Sequence, residues 1–339
     1  MKISLFDYHL PEEKIAQHPA EKRDHSKLLL VDKQAKNEPI DYMFYNLPSL
    51  LSKGDVLVLN NTKVIPARLF GTKRGTGAAI ELLLLSDVMN DTYEAMTKPA
   101  KRIQIGDIVD ISDTFYLTCI DKRSDGIALY KLTYDGILME QLEMLGKMPL
   151  PPYIKALNDD SRYQTVYAKH HGSSAAPTAG LHFTPRILNT LKSKGIEIIE
   201  ITLHVGLGTF RPVKTENIKD HHMHQETYTI SEEAAQRLNE AKISHKRIIS
   251  VGTTSLRALE SNIQDGIFRP GSFDTSIFIY PGYVFKAVNG LITNFHLPKS
   301  TLLMLVSALT ERSYMLTCYQ HAIENDYRFF SFGDAMLIL

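Results

Sequence analysis

Between Arg68 and Leu150 the chain changes its patterning, and that change constrains the fold more than any other feature. Short runs rich in β-branched and aromatic residues follow one another over 69–72, 79–85, 93–97, 108–111, 115–120 and 127–134. Turn residues separate them at Gly75, Asn90-Asp91, Gly106-Asp107, Asp113 and Ser124-Asp125-Gly126. Strands at this spacing, with no helical pattern between them, predict a small β-barrel. A helix over 136–145 follows. The stretch Met148-Pro149-Leu150-Pro151-Pro152-Tyr153-Ile154 then reads as a stiff exit from the barrel.

On either side the chain alternates strand and helix. Residues 27–32 and 55–60 read as buried strands, and 10–15 as a brief helix with acids in its first turn. Downstream come helices over 185–194 and 231–243 and strands over 198–203, 247–251, 276–280 and 291–295. A helix opens at Gly252-Thr253-Thr254-Ser255, others start near Ser300 and Ser313, and 336–339 makes a last strand. Such alternation predicts mostly parallel strands with covering helices. The fold class is therefore α/β, barrel-like, with a small β-barrel domain inserted. The α/β domain would comprise 1–67 plus 153–339, and the inserted barrel 68–152.

Lys plus Arg and Asp plus Glu both number 38 in 339 residues, so any nucleic-acid contact must come from a local patch. Lys98, Lys101 and Arg102 form the densest patch, on a turn of the expected barrel. They are either RNA contacts or a solvated face. Cys119 and Cys318 supply neither a disulfide framework nor a thiolate metal set. Asp7 and His9 break any leader-like apolar run, and the run 302–309 is too short to span a bilayer. A cytoplasmic protein with no membrane partner is expected.

Chemistry concentrates at polar tips where strands end. The stretch from Ser173 to Thr184 has too many small residues for a core element and too few charges for a solvated loop. Small side chains let a ligand lie against backbone N–H groups, and His182 can move a proton near neutral pH. A second tip, His204-Val205-Gly206-Leu207-Gly208-Thr209-Phe210-Arg211, follows a buried-strand run but lacks the third glycine of a dinucleotide fingerprint. Asn60-Asn61-Thr62-Lys63, Gly252-Thr253-Thr254-Ser255-Leu256-Arg257 and Thr293-Asn294-Phe295-His296 repeat the theme. Any one of these alone reads equally as a tight connection. Converging at one end of a sheet, they would form a pocket for a polar, extended ligand. In a strand, His222, His224 and Glu226 would project from one face, as zinc or iron ligands or as hydrogen-bonded pocket residues. A metal-dependent hydrolase built on that trio is the rival function.

Long stretches of the chain resemble one family. They are Ala175-Ala176-Pro177-Thr178-Ala179-Gly180-Leu181-His182-Phe183-Thr184, Leu203 to Phe210, Gly252 to Arg257, and Leu291-Ile292-Thr293-Asn294-Phe295-His296-Leu297-Pro298-Lys299-Ser300. Asn60 to Arg68, Ile279 to Tyr283 and Tyr327 to Met336 match as well. Together they are similar to the S-adenosylmethionine:tRNA ribosyltransferase-isomerases of bacterial queuosine biosynthesis. Tyr93, where tryptophan is expected, is a small departure within the barrel.

The resemblance implies transfer of the ribosyl part of S-adenosylmethionine onto 7-aminomethyl-7-deazaguanine at the tRNA wobble position. Epoxyqueuosine forms, and adenine and methionine leave. It implies S-adenosylmethionine as co-substrate with no permanently bound cofactor, and tRNA as partner; the sequence itself leaves the oligomeric state open, with a monomer the expectation. By residue type and position, His182, His204 and Glu226 are the candidates for proton transfer. The candidates for substrate binding are Asn61, Thr178, Gly180, Phe183, Gly206, Gly208, Thr209, Arg211, Thr253, Thr254, Arg257, Asn294 and His296.

Overall fold

Runs such as Val56-Leu57-Val58-Leu59 and Ile248-Ile249-Ser250-Val251 carry apolar side chains on both faces, so they need cover above and below. The computed structural model describes residues 1–123, 126–151, 153–154, 157, 159–206 and 215–339. Its strands begin with β1 (Lys27–Val31), β2 (Ile40–Met43), β3 (Val56–Asn60) and a short β4 (Thr62–Val64). Six more follow: β5 (Arg68–Lys73), β6 (Ala79–Met89), β7 (Thr92–Lys98), β8 (Ile108–Asp110), β9 (Phe115–Lys122) and β10 (Ile127–Tyr134). The last seven are β11 (His170–Ser173), β12 (Glu197–Leu203), β13 (Glu226–Ile230), β14 (Ile248–Val251), β15 (Gly271–Thr275), β16 (Gly290–Asn294) and β17 (Ala335–Ile338). Helices are α1 (Leu47–Leu50), α2 (Leu138–Leu145), α3 (Pro185–Ser193), α4 (Glu232–Ile243), α5 (Thr253–Asn262), α6 (Thr301–Leu309) and α7 (Arg312–Glu324). Among the described residues no helix is long and apolar enough to cross a membrane.

Nine strands form one sheet in the order β15-β13-β12-β3-β14-β16-β17-β1-β2. The neighbours β12, β3, β14 and β16 run parallel. Along β3, Val56 and Val58 enter a core with Leu238 of α4, Leu256 and Leu259 of α5 and Met304 of α6. Leu57 and Leu59 point the other way, into a core with Phe44, Phe183 and the α3 residues Ile187 and Leu191. The α/β class holds, with parallel pairing concentrated at the centre. The sheet is open rather than barrel-like, and its outer pairs include antiparallel ones at β13, β15 and β2. The connection 32–39 between β1 and β2 is too short for a parallel crossover, so that pair must return as a hairpin.

The strand expected over 276–280 is displaced. Pairing with β13 stops where Glu226 meets Thr275, so residues beyond Thr275 have no neighbour to extend against. Phe278 and Tyr280 instead pack edge to face. The helix starts follow the capping residues: Thr184, Ser231 and Ser300 each accept from the backbone N–H three residues on.

Strands β5 to β10 close into a barrel in the order β10-β7-β6-β5-β8-β9. Its interior holds Leu69, Leu82, Leu84, Val109, Phe115, Leu117 and Tyr130. Where β5 meets β8, a Cβ on Gly71 would lie 2.4 Å from the Asp110 carbonyl oxygen, so only glycine lets the barrel close there. The chain enters and leaves side by side, because Arg68 and Lys147 exchange backbone hydrogen bonds of 3.1 and 2.8 Å.

At the end of β3, Asn60 continues the ladder with its side chain. Its Nδ2 donates to the Leu203 carbonyl (2.9 Å), and its Oδ1 accepts from Leu203 N–H (3.0 Å) and Thr62 N–H (3.2 Å). Asn60 is fully buried, so replacing it leaves backbone groups unpaired away from water. Asn60→Ala should therefore cost about 2–4 kcal/mol. Urea unfolding checks this, and a loss below about 0.5 kcal/mol would remove the clamp from the account.

Candidate active site

Because β12, β3, β14 and β16 are parallel, their C-terminal ends fall on one edge of the sheet, where open α/β sheets hold ligands. Val205 follows β12 there, Gly252-Thr253-Thr254 follows β14, and Asn294 and His296 close β16. With Thr178, Ala179, Phe330 and Ser331 they line a narrow cleft of about 50 Å³ that opens to solvent. Among the described residues, no charged side chain lines it. Gly252 has a φ of +87°, a turn that leads β14 straight into α5. Thr253 and Thr254 therefore present the N-terminal turn of α5 to the cleft, with its unpaired backbone donors.

Asn294 organises the back wall. Its Nδ2 lies 3.0 Å from His182 Nε2, and its Oδ1 accepts from the Thr178 hydroxyl at 2.9 Å. An amide nitrogen only donates, so Nε2 must accept and the imidazole proton belongs on Nδ1. That nitrogen meets Ser26 Oγ at 2.7 Å. Phe44 stacks on the ring at 5.0 Å. Burial, then the Arg328 and Arg23 guanidiniums, push the His182 pKa down to about 3, so the ring is neutral. His296, whose Nε2 meets the Thr293 hydroxyl at 3.0 Å, is also pushed to about 3 by burial.

The other two proton-transfer candidates lie off this cleft. His204 N–H donates to the Thr227 carbonyl, so His204 and Glu226 occupy neighbouring ends of β12 and β13. The His204 ring faces a separate groove with Asn61, His170 and Glu200. Its Nδ1 meets Thr62 Oγ1 at 2.8 Å, and burial followed by His170 lowers its pKa. Asn61 accepts there from Thr202 Oγ1 (2.7 Å) and donates to Glu200 (3.1 Å). Glu226 forms a buried ion pair with Arg257, both side chains 4% exposed, and Arg257 Nε donates to the Ile277 carbonyl at 3.2 Å.

Two further candidates serve packing. A Cβ on Gly180 would lie 2.0 Å from Tyr167 Oη, and Phe183 is fully buried edge to face against Phe44. Gly206 follows Val205 at the cleft edge. Gly208, Thr209 and Arg211 lie outside the described residues. His222 and His224 precede β13 rather than belonging to it, and both are exposed while Glu226 is buried. The shared face that a strand would have given them is absent, and no metal-ligand group forms among the described residues. Lys98, Lys101 and Arg102 are exposed together at the barrel turn Ala100–Arg102.

Sequence reasoning missed Ser26, Phe330 and Ser331. Ser26 carried no signal, standing just before a strand. Phe330 has a φ of +74°, unfavourable for so bulky a residue, which nothing in its side-chain type announces.

The two neutral histidines make a pH signature. Their folded pKa values are near 3 against about 6.5 unfolded. Below pH 6.5 the unfolded chain takes up protons that the folded chain refuses. Stability present above pH 6.5 is therefore lost as pH falls toward 3, by about 1.4 kcal/mol per pH unit for each histidine. Urea unfolding of wild type and His182→Gln between pH 4.5 and 7 should show the variant with the shallower slope. Parallel slopes would mean that His182 is protonated in the folded protein.

A family model described as queuosine biosynthesis protein matches residues 3–338. An S-adenosylmethionine:tRNA ribosyltransferase-isomerase of Staphylococcus epidermidis is 55% identical, with both chains fully covered. The protein of that name from Desulfitobacterium hafniense is 54% identical, again over the whole of both chains. The crystal structure of S-adenosylmethionine tRNA ribosyltransferase from Thermotoga maritima matches with a TM-score of 0.57 and 34% identity, over 99% of this chain and 100% of that one. A match over nearly every residue, with the cleft at the ends of the parallel strands, shows that the chain belongs to the queuosine biosynthesis protein family.

Proposed function

We propose that this chain, acting as a monomer, transfers and isomerises the ribosyl moiety of S-adenosylmethionine onto 7-aminomethyl-7-deazaguanine at the tRNA wobble position. Epoxyqueuosine-tRNA forms, with release of adenine and methionine. One observation carries the reading beyond family membership. Four of the stretches that mark the family in sequence, around Thr178, Val205, Thr253 and Asn294, meet in one cleft although they are far apart in the chain.

The chemistry suits that lining. The sulfonium acidifies the adjacent ribose carbon, a base removes its proton, adenine departs, the amine attaches, and ring rearrangement to the epoxide expels methionine. A largely buried cleft shields the intermediate from water while hydroxyl and amide groups orient the ribose. His182, His204 and Glu226 are proposed to move protons. His182 is the one joined to the cleft, through Asn294. Accepting a proton at Nε2 requires the Asn294 amide to turn off the ring, and a ligand hydroxyl competing for Thr178 would favour that turn. Thr253, Thr254 and His296 would contact substrate directly. Asn61, Gly180, Phe183 and Arg257 would support the site from outside the cleft, and Gly206, Gly208, Thr209 and Arg211 would complete it.

The barrel patch of Lys98, Lys101 and Arg102 is assigned to tRNA phosphates. The chain is taken to divide into an α/β domain of 1–67 plus 153–339 and an inserted barrel of 68–152, so that the patch and the cleft belong to different domains.

Two outcomes follow. Incubation with S-adenosylmethionine and tRNA carrying the aminomethyl base should yield adenine and methionine in equal amounts, measured by chromatography. His182→Ala should suppress adenine release by about a hundredfold or more if His182 is the base. S-adenosylhomocysteine with a methyl-sized gain on the RNA would sink the assignment. Replacing Lys98, Lys101 and Arg102 together by Gln should raise KM for tRNA far more than it lowers kcat. It should also flatten the log–log salt slope of tRNA binding by about 2–3. An unchanged slope would move the RNA contact elsewhere.

A further inference from the structure

His182 divides two cavities. Its Nε2 faces Asn294 of the cleft, and its Nδ1 faces Ser26, which lines a second, small cavity of about 20 Å³ that opens to solvent. Ser331 belongs to both. The second cavity is lined by three guanidiniums from distant parts of the chain: Arg23, Arg162 and Arg328.

Each arginine is anchored by backbone carbonyls that leave donors over. Arg23 donates to Leu181 O (3.1 Å) and Ser161 O (3.0 Å), and Arg162 to Glu21 O (3.1 Å) and Ala20 O (2.5 Å). Arg328 donates to His18 O (3.2 Å). A guanidinium has five donor hydrogens, so at most two on each are spent this way. Arg162 Nε is buried with no partner among the described residues.

The positive charge is only partly matched, with three guanidiniums facing the carboxylates of Asp334 and Asp159. Asp334 is the one buried carboxylate against the group, 3.5 Å from Arg328 Nη2, and it also accepts from the backbone N–H groups of Lys27 and Arg328. Asp159 near Arg23 spends its carboxylate capping the turn at Ser161. Burial first, and then Arg162 beside it, pulls the Arg23 pKa below its ordinary value, against the opposing pull of the Asp159 carboxylate. Three arginines held half-buried around a small cavity, with unspent donors, form a receptor for planar or tetrahedral oxyanions.

We propose that this cavity is an oxyanion site, binding one carboxylate or phosphate group across Arg23, Arg162 and Arg328 with the Ser26 and Ser331 hydroxyls. It deepens the proposed function and rests on that reading for the source of the anion. The source is either the carboxylate of the methionyl part of S-adenosylmethionine, reaching past Ser331 from the cleft, or a phosphodiester of the tRNA. An anion seated there would also screen Arg328 and Arg23 from His182, two of the three causes that keep its ring neutral.

The test uses the full-length protein and inorganic phosphate as probe. Phosphate titrated at constant ionic strength should move the Arg162 side-chain Nε–H resonance saturably, and Arg23→Gln should abolish the movement. In steady-state assays Arg162→Gln should raise one KM by about tenfold to a hundredfold, and Arg162→Lys by less, because lysine keeps the charge without the fork. A rise confined to S-adenosylmethionine assigns the carboxylate, and a rise confined to tRNA assigns the phosphodiester. Phosphate that leaves the wild-type Arg162 resonance unmoved overturns the site, whatever the variants do. Should the wild type release no adenine at all, the reaction assignment falls, while the phosphate titration still decides the cavity.

Discussion

The parallel pairing of β12, β3, β14 and β16 orders everything chemical on this chain. Strands β3, β14 and β16 are buried along their whole length, so they need cover above and below, and the crossings that supply it bring the strands back in one direction. Their C-terminal ends then share an edge, and the polar residues that follow them share a cleft. Asn60 shows how firmly the edge is held, since its side chain takes over where backbone pairing of β3 with β12 ends.

Within the cleft the deciding physics is desolvation. His182 and His296 are buried, His182 with the Arg328 and Arg23 guanidiniums nearby, and their rings lose protons they would hold in water near pH 6. A neutral imidazole with its lone pair on Asn294 is held in one tautomer and ready to accept a proton only when that bond opens. Glu226 follows the opposite logic. It is joined to Arg257 in a buried ion pair, where removing one partner costs stability. Loss of activity on changing Glu226 would therefore need a stability measurement beside it before it spoke to chemistry.

Much of this was legible in the sequence for reasons that are local. The barrel strands over 69–134, the caps Thr184, Ser231 and Ser300, and the tips at Thr178, Gly252 and Asn294 all follow from turn chemistry and periodicity. What failed depends on partners that sequence does not show. The strand expected over 276–280 lacks a neighbour, and the His222-His224-Glu226 face needed a strand that begins only at Glu226. The arginine cavity was invisible for the same reason, because Arg23, Arg162 and Arg328 meet only after the chain has folded.

The central claim is that the cleft at the ends of the parallel strands, and not the groove of His204, receives the ribosyl donor. A crystal structure with S-adenosylmethionine at saturating concentration tests it most directly. The account predicts density for the ribose against Thr253, Thr254 and Asn294, with His182 behind it. Density for the ribose in the groove formed by Asn61, His170, Glu200 and His204, with the cleft empty, would contradict it.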